Sequence, residues 1–131
     1  MEGKKRHQLE HSDDHDEEEM ILRSPDYLKA KGRHLYLFMQ ADGNLVLYPN
    51  TDQIPATHIW ASKTHGKGRS PHHLILQRDG NLVIFDADNW PTWSTNTHKV
   101  GKGCIFKVED DGELVLYSYQ GKQVWASQTR A

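Results

Sequence analysis

The sequence has little of what a disulfide-linked, membrane-spanning or polyanion-binding protein needs. Its 131 residues include a single cysteine, which excludes an internal disulfide and fits a reducing compartment. No stretch approaches the roughly 20 consecutive apolar residues of a transmembrane helix, and the first residues lack the apolar segment of a signal peptide. A net charge of −2 argues against a general binder of nucleic acid. We therefore expect a protein without nucleic-acid or membrane partners, located in the cytoplasm or exported without a conventional signal peptide.

The sequence also lacks the groupings that catalysis and metal binding require. Cys104 lies in an apolar run and is expected to be a small buried hydrophobe rather than a nucleophile. No cysteine–histidine spacing resembles a zinc site. His7, His11 and His15 would align on a helix and could hold a metal ion, but nothing near them would orient such ligands, so a solvated polar segment is the favoured interpretation. We expect no enzyme activity, no cofactor and no metal.

Residues 1–20 and 21–131 differ in composition. The first segment carries a basic cluster and an acidic run, with too few apolar residues to offset the entropy cost of ordering, so it is predicted to be a disordered charged tail. From residue 21 onward, short apolar runs alternate with clusters of Gly, Asp, Asn, Pro and Ser, and no segment shows a sustained helical period. This pattern predicts one all-β domain.

The stretch 40–48 places four polar side chains and one valine at every second position. Side chains at every second position of an extended segment share one face, while Leu45 and Leu47 would turn into a core. The residues on the shared face are Gln40, Asp42, Asn44, Val46 and Tyr48. Carboxylate and amide oxygens accept hydrogen bonds from sugar hydroxyls, and amide nitrogens donate them, so this face suits a sugar. Asp-Gly is also a strong turn signal, so the stretch is either one straight strand or a bent one clustered at a hairpin end.

The same stretch recurs twice, which reveals an internal repeat. A near-complete copy occupies 77–85, and a worn copy occupies 109–117. Each copy is followed by the pattern Trp-x-Ser/Thr-x-Thr, which begins at Trp60, Trp93 and Trp125. The repeats cover about 28–64, 65–97 and 98–131, and we call their polar stretches site 1, site 2 and site 3.

The repeats predict a threefold architecture. A unit of about four short strands cannot bury a face alone, but three units packed around a pseudo-threefold axis can. One tryptophan at an equivalent place in each unit predicts that Trp60, Trp93 and Trp125 meet near that axis as core residues. Trp90 lies outside the repeat pattern, precedes a proline in a turn and is expected to be exposed. The basic stretch 65–73 could touch phosphate or an acidic glycan, but a solvated linker is the favoured interpretation.

These paired signatures resemble those of the bulb-type, or monocot mannose-binding, lectin family. The resemblance covers about residues 22–129, and the matching signatures in all three repeats make it specific. It implies a β-prism II fold of three antiparallel four-stranded sheets. It also implies calcium-independent binding of mannose and mannose-terminated glycans. The chain lacks the cysteine pair that many secreted members use as a disulfide, which favours a cytoplasmic member or one exported by another route.

In site 1 the resemblance assigns a role to every residue of the motif. Asp42 and Asn44 would bind the 2- and 3-hydroxyls of mannose. Gln40 would bond the hydroxyl edge of the ring, and Tyr48 would bond the 4-hydroxyl. Val46 would contact the ring carbons.

Sites 2 and 3 depart from the motif to different degrees. In site 2, Phe85 replaces the tyrosine, which removes a hydrogen bond worth about 0.5–1.5 kcal/mol and predicts weaker binding. The site 2 residues that match are Gln77, Asp79, Asn81 and Val83. In site 3, Glu109 and Glu113 replace the amides on either side of Asp111, so lost donors and repulsion predict no ordinary mannose binding. Site 3 is expected to be structural, although it keeps its Asp, Val and Tyr.

The leading hypothesis is therefore a non-enzymatic mannose-binding lectin that works through repeat 1 and more weakly through repeat 2. A single open monosaccharide site gives roughly millimolar affinity, so useful avidity requires several sites in one assembly. We therefore expect a homodimer or a larger homo-oligomer. The alternative is a structural or protein-interaction module that keeps the prism but has lost the sugar activity.

Overall fold

The protein forms three antiparallel four-stranded sheets in a computed structural model that describes residues 6–11 and 17–129. The strands are β1 (Gln8–Glu10), β2 (Ile21–Arg23), β3 (Tyr27–Lys29), β4 (Tyr36–Met39), β5 (Leu45–Tyr48), β6 (Trp60–Ala61), β7 (His73–Leu76), β8 (Leu82–Phe85), β9 (Pro91–Ser94), β10 (Ile105–Val108), β11 (Leu114–Tyr117) and β12 (Gln123–Ala126). Two short 3₁₀ helices cover Glu17–Met20 and Pro55–Thr57. No helix in these ranges is long and apolar enough to cross a membrane. The predicted all-β class is confirmed.

Each repeat supplies three adjacent strands of one sheet. Sheet 1 has the order β3-β4-β5-β6, sheet 2 has the order β2-β7-β8-β9, and sheet 3 has the order β1-β10-β11-β12. The strand that ends each polar stretch is β5, β8 or β11, and it lies between the apolar strand before it and the tryptophan strand after it. The polar stretches therefore occupy equivalent positions in the three sheets.

The N-terminal segment supplies the remaining strand of every sheet, in reverse order. β1 joins the sheet of repeat 3, β2 joins that of repeat 2, and β3 joins that of repeat 1. The expectation of about four strands from each repeat is therefore wrong, because the second and third repeats supply only three.

The prediction of a disordered tail over residues 1–20 is wrong for residues 8–10 and 17–20. Leu9 is completely buried and is paired with Phe106 of β10. One leucine in a polar segment suffices here, because the rest of the sheet already provides both an edge to pair with and a core to enter. Residues 1–5 and 12–16, which belong to the same prediction, lie outside the described residues.

The inner faces of the sheets form one core of leucines and other apolar side chains, which includes Cys104 as predicted. Trp60, Trp93 and Trp125 pack against this core and against each other, with ring centroids 5.7–5.9 Å apart and interplanar angles of 72–82°. Edge-to-face packing of this kind is the preferred geometry of aromatic pairs. The predicted meeting of the three tryptophans is confirmed, as is the exposure of Trp90, which is 69% accessible.

Candidate functional site

The polar stretch of each repeat folds into a tight turn before its strand begins. In site 1, the backbone N–H of Gly43 donates to Gln40 O (3.1 Å), and the N–H of Gln40 donates to Asn44 O (2.9 Å). The turn needs a positive φ at its glycine, which is +88° at Gly43, +93° at Gly80 and +88° at Gly112. Of the two alternatives open at the sequence level, the bent one is correct in all three repeats.

The aspartate of each motif closes this turn with its own side chain. Asp42 Oδ1 accepts from the backbone N–H of Asn44 at 2.9 Å, and Asp79 Oδ1 accepts from that of Asn81 at 2.9 Å. Asp111 makes the same bond at 3.0 Å. The bonds within residues 6–11 and 17–129 use only Oδ1 of each aspartate, so the turn fixes the carboxylate while its second oxygen is available to a ligand.

The hydroxyl residues of the second signature orient the asparagine. Asn44 Oδ1 accepts from Ser62 Oγ (3.1 Å) and from the backbone N–H of Thr64 (3.2 Å). With its oxygen bound to donors, the amide turns its Nδ2 group away from them, which makes that group a donor for a ligand. Thr64 Oγ1 also donates to Gly43 O at 2.8 Å, which ties the segment after β6 to the turn.

The same hydrogen bonds to the asparagine and to the turn recur in repeat 2. Asn81 Oδ1 accepts from the backbone N–H of Thr97 (3.1 Å) and from Thr95 Oγ1 (3.4 Å). Thr97 Oγ1 donates to Gly80 O at 2.7 Å. The positioning role of these hydroxyls was missed at the sequence level, although the recurring Ser/Thr-x-Thr pattern was the signal for it.

The linker 65–73, which follows repeat 1, donates hydrogen bonds to the backbone of the site 1 turn. The N–H of Gly66 donates to Asp42 O (2.7 Å), and Ser70 Oγ donates to Ala41 O (2.6 Å). The buried ring of His72 lies under Gly43, where a Cβ atom would come within 2.7 Å of Nε2. The basic stretch 65–73 is mostly exposed, as a linker should be, but it also braces the turn.

The apolar part of site 1 is less open than the sequence suggests. Val46 and Tyr48 lie on the face opposite the main core, as expected, yet they are only 2% and 3% exposed. They form a second cluster with Phe38, against which Tyr27 and Tyr36 pack. A ligand at site 1 would therefore meet mainly the polar side chains, with the valine and the phenol ring as a floor beneath them.

Gln40 connects the phenol of site 1 to the loop between β5 and β6. Its Nε2 group donates to Tyr48 Oη at 2.8 Å and to Gln53 Oε1 at 3.3 Å. Since the phenol accepts from Gln40, its own proton remains available to an acceptor outside the protein. The loop between β5 and β6 is longer than those between β8 and β9 and between β11 and β12, and it reaches the edge of the site.

Site 2 holds its aspartate and asparagine as site 1 does, but it has a different aromatic residue at the end of the motif. Phe85 replaces the tyrosine, and the ring of His73 stacks on it at 5.6 Å and 27°. Burial, followed by the nearby Arg23 and His72, lowers the pKa of His73. Val83 is buried like Val46, while Gln77 has no phenol to bond.

Site 3 keeps the turn and its hydrogen bonds, but carboxylates replace the two amides of the motif. Glu113 Oε1 takes the place of the asparagine oxygen, because it accepts from Ser127 Oγ (3.2 Å), from the N–H of Thr129 (3.2 Å) and from the N–H of Gln128. Tyr117 Oη donates to Glu109 Oε1 at 2.6 Å, and this bond, with burial and the carboxylate charges, raises the pKa of Tyr117 to about 12. Carboxylate oxygens therefore stand where site 1 presents amide N–H groups.

The histidines considered as metal ligands do not align. Residues 8–10 form a strand, so His7 and His11 do not share a helical face, and His15 lies outside the described residues. Within 6–11 and 17–129, no group of three or more His, Cys, Asp or Glu side chains is placed to hold a metal ion.

Comparison with known proteins identifies lectins as relatives, although no protein-family model matches the chain. The chain is similar to a monomeric monocot mannose-binding lectin from Gastrodia elata, with 32% identity, 95% of this chain and 99% of that chain covered, and a TM-score of 0.77. It is similar to the mannose-specific agglutinin of snowdrop (Galanthus nivalis), solved with methyl-α-D-mannoside, with 30% identity, coverage of 95% and 98%, and a TM-score of 0.67.

A curated relative gives the same result over a shorter part of its length. Mannose-specific lectin 2 of Colocasia esculenta is 32% identical over 84% of this chain, which matches 38% of that protein. The chain spans about half or less of the length of the curated relatives it matches. Since the structural neighbours are bulb lectins, the predicted β-prism II architecture is confirmed.

Proposed function

The chain belongs to the monocot mannose-binding, or bulb-type, lectin family, and we propose that it binds mannose and mannose-terminated glycans, mainly through site 1 and more weakly through site 2. Lectins bind carbohydrate without transforming it, so the chain is not an enzyme. The proposal rests on one observation above all. Asp42 and Asn44 are held by the backbone and by Ser62 and Thr64 so that one acceptor and one donor are left side by side.

This pair suits two neighbouring sugar hydroxyls. The second oxygen of Asp42 accepts from one hydroxyl, and Nδ2 of Asn44 donates to the other. Tyr48 and Gln40, already joined at 2.8 Å, add the phenol proton as a donor and the amide oxygen Oε1 as an acceptor at the far end of the site. Because protein groups alone fix these side chains, binding needs no calcium ion to arrange them.

Site 2 repeats the acceptor and donor but not the phenol. Asp79 and Asn81 are held as their counterparts are, so the hydroxyl pair is recognised in the same way. Phe85 supplies an apolar wall without a hydroxyl. The difference supports weaker binding at site 2, by about 0.5–1.5 kcal/mol for one lost hydrogen bond.

Retention on immobilised mannose tests the proposal. Wild-type protein is expected to be retained in the presence of a chelator and released by free mannose. Asn44→Asp keeps the oxygen that Ser62 and Thr64 bind but loses the Nδ2 donor, so retention should fall sharply. Asn89→Asp makes the same charge change on an exposed turn of repeat 2 and should be retained like wild type.

Two outcomes would reject this function. Wild type that passes through the column would indicate the sugar-inactive module, for which the near-complete burial of Tyr48 and the contact of Gln53 are the favouring observations. Equal retention of Asn44→Asp and wild type would place mannose elsewhere on the molecule.

The assembly and the location of the protein are further parts of the proposal. We propose a homodimer, because two or more weak sites in one assembly raise avidity without new contacts. In the structure, β12 pairs with β11 of the same chain. Light scattering of the purified protein measures its mass directly. The cytoplasm, or export without a conventional signal peptide, remains the proposed location.

A further inference from the structure

The outer face of sheet 1 carries a cluster of aromatic side chains beside site 1. Phe38 lies next to Tyr48 of the site, with ring centroids 6.2 Å apart. The rings of Tyr27 and Tyr36 pack on Phe38 at centroid distances of 5.0 Å and 6.5 Å. Phe38 is only 6% exposed, whereas both outer tyrosines are partly exposed. The floor of site 1 therefore continues into an aromatic surface that reaches solvent.

The register of the sheet sets the distance between this aromatic surface and the site. Tyr27 of β3 is opposite Phe38 of β4, and Phe38 is opposite Val46 of β5. Neighbouring strands lie about 4.8 Å apart, so Tyr27 stands roughly 10 Å from Val46 across the sheet. This span is close to the length of a disaccharide. A sugar ring linked to a mannose over Val46 therefore has the reach to contact Tyr27.

The fold itself does not require a tyrosine at this place. In each sheet, one row of paired residues leads from the N-terminal strand to the valine of the site. The first residue of that row is Tyr27 in sheet 1, Ile21 in sheet 2 and Gln8 in sheet 3. Since the three sheets share one architecture, the packing of the sheet accepts an aliphatic or a polar side chain there. The tyrosine beside site 1 therefore points to a ligand.

The aromatic surface also carries polar groups that suit a sugar. Tyr27 Oη makes no hydrogen bond with any group of residues 6–11 and 17–129. Tyr36 Oη and His34 Nδ1 are hydrogen-bonded at 3.2 Å, and Lys29 Nζ lies 5.7 Å from the centroid of the Tyr36 ring. The negative face of an aromatic ring attracts the weakly positive C–H groups of a pyranose, and the hydroxyl of a tyrosine bonds its hydroxyls.

We infer that this aromatic surface is a second subsite, which binds the sugar ring linked to the mannose in site 1. The C–H groups of that ring lie against Tyr27, and its hydroxyls meet the phenol oxygens and the ammonium group of Lys29. The inference rests on the proposed function, because it requires a mannose in site 1. It adds that sheet 1 prefers two linked sugar rings to one, whereas sheet 2, with Ile21 at the same place, does not.

A comparison of one sugar ring with two, followed by methyl NMR, tests the inference. Methyl mannoside supplies a ring for site 1 alone, and the methyl glycosides of the α-linked mannobioses supply a second ring. At Val46, at least one mannobioside should bind roughly two- to tenfold more tightly than methyl mannoside, which is the size expected of an aromatic contact. At Val83 the two kinds of ligand should bind alike. The C–H signals of the second ring should also move upfield, as protons above an aromatic ring do.

The variant Tyr27→Ile copies the residue of sheet 2 and tests the aromatic contact. The preference for the mannobioside at Val46 should disappear. A merely structural role of Tyr27 would instead change the affinities for both ligands together and leave the preference as it is. The control Tyr119→Ile removes a tyrosine that is 79% exposed in the turn between β11 and β12, and it should keep the preference of the wild type.

The outcomes separate this inference from the proposed function. Methyl mannoside shifts at Val46 with no preference for any mannobioside reject the inference and keep the proposed function. A preference that Tyr27→Ile retains rejects the inference as well. No shift at Val46 with either kind of ligand rejects both. A wild-type dimer that Tyr27→Ile dissociates, as measured by light scattering, would make this surface a contact between two copies of the chain and would also overturn the inference.

Discussion

At the scale of single residues, one atom distinguishes the three sites. Asn44, Asn81 and Glu113 all place an oxygen against backbone donors in the segment that follows the tryptophan strand. Because that oxygen is fixed, the other terminal atom of the side chain decides what the site offers. It is an N–H donor in two repeats and a carboxylate oxygen in the third.

The tyrosine position should control the difference between sites 1 and 2. Phe85→Tyr places a hydroxyl where Tyr48 has one, within reach of Gln77 as Tyr48 is of Gln40. We expect mannose to bind site 2 more tightly by about 0.5–1.5 kcal/mol, roughly two- to tenfold, as measured on the Val83 methyl signals. Phe85→Leu keeps an apolar wall without a hydroxyl and should bring no gain. A Phe85→Tyr variant no tighter than wild type would contradict this role of the phenol.

The hydrogen bond from Tyr117 to Glu109 should be visible in a titration. Glu109→Gln removes the charge that stabilises the neutral phenol, so the pKa of Tyr117 should fall from about 12 toward 10.0. Ultraviolet absorbance of the phenolate, with Tyr117→Phe subtracted to isolate this residue, measures the change. An unchanged pKa of Tyr117 in Glu109→Gln would mean that burial and the charges of Asp111 and Glu113 raise it without Glu109.

The same bond sets the sign of a pH effect on stability. The folded pKa lies above the unfolded one, so the contribution is complete below pH 10 and is lost as pH rises from about 10 to 12. The unfolding free energy of wild type should therefore decline over this range more steeply than that of Tyr117→Phe.

At the scale of elements, the N-terminal strands complete the three sheets. β1, β2 and β3 are three residues each, yet each supplies an edge strand of a different sheet. Leu9, Leu22 and Leu28 are the fully buried side chains that these strands contribute to the core. The segment thus ties the three repeats together, which none of their own strands does.

Leu9 tests this role of the N-terminal segment. Leu9→Ala should lower the free energy of unfolding by about 2–5 kcal/mol, because it removes a completely buried side chain and leaves a cavity. Gln8→Ala changes the neighbouring, partly exposed position of the same strand and should cost less than about 1 kcal/mol. Urea denaturation measures both variants. Equal stability of Leu9→Ala and Gln8→Ala would mean that β1 does not hold sheet 3 in solution.

The elements also show where sequence reasoning reaches its limit. The turns at Gly43, Gly80 and Gly112 were predictable because Asp-Gly is a local signal with a known backbone geometry. The strands of the N-terminal segment were not, because three residues with one leucine carry too weak a pattern, and pairing with a distant strand decides the matter. The hydrogen bond from Ser62 to Asn44 spans 18 residues, so only the repetition of the Ser/Thr-x-Thr pattern, and no local turn signal, could have indicated it.

At the scale of the whole molecule, the threefold plan and the sites follow different rules. The packing of Trp60, Trp93 and Trp125 was predictable from their equivalent places in the repeats, and the core keeps the symmetry. The surface does not, because the three sites carry a phenol and amides, a phenyl ring and amides, and a phenol and carboxylates. Repetition therefore stabilises one fold, while the three faces present different chemical groups.

A mannose titration followed on the methyl signals of Val46, Val83 and Val115 tests the central claim most directly. These valines lie in equivalent places on β5, β8 and β11, so one spectrum reports all three sites at once. The account predicts that Val46 shifts at the lowest mannose concentration, that Val83 follows at a higher one, and that Val115 does not move. A spectrum in which Val46 stays unchanged while mannose is added to saturation would contradict it.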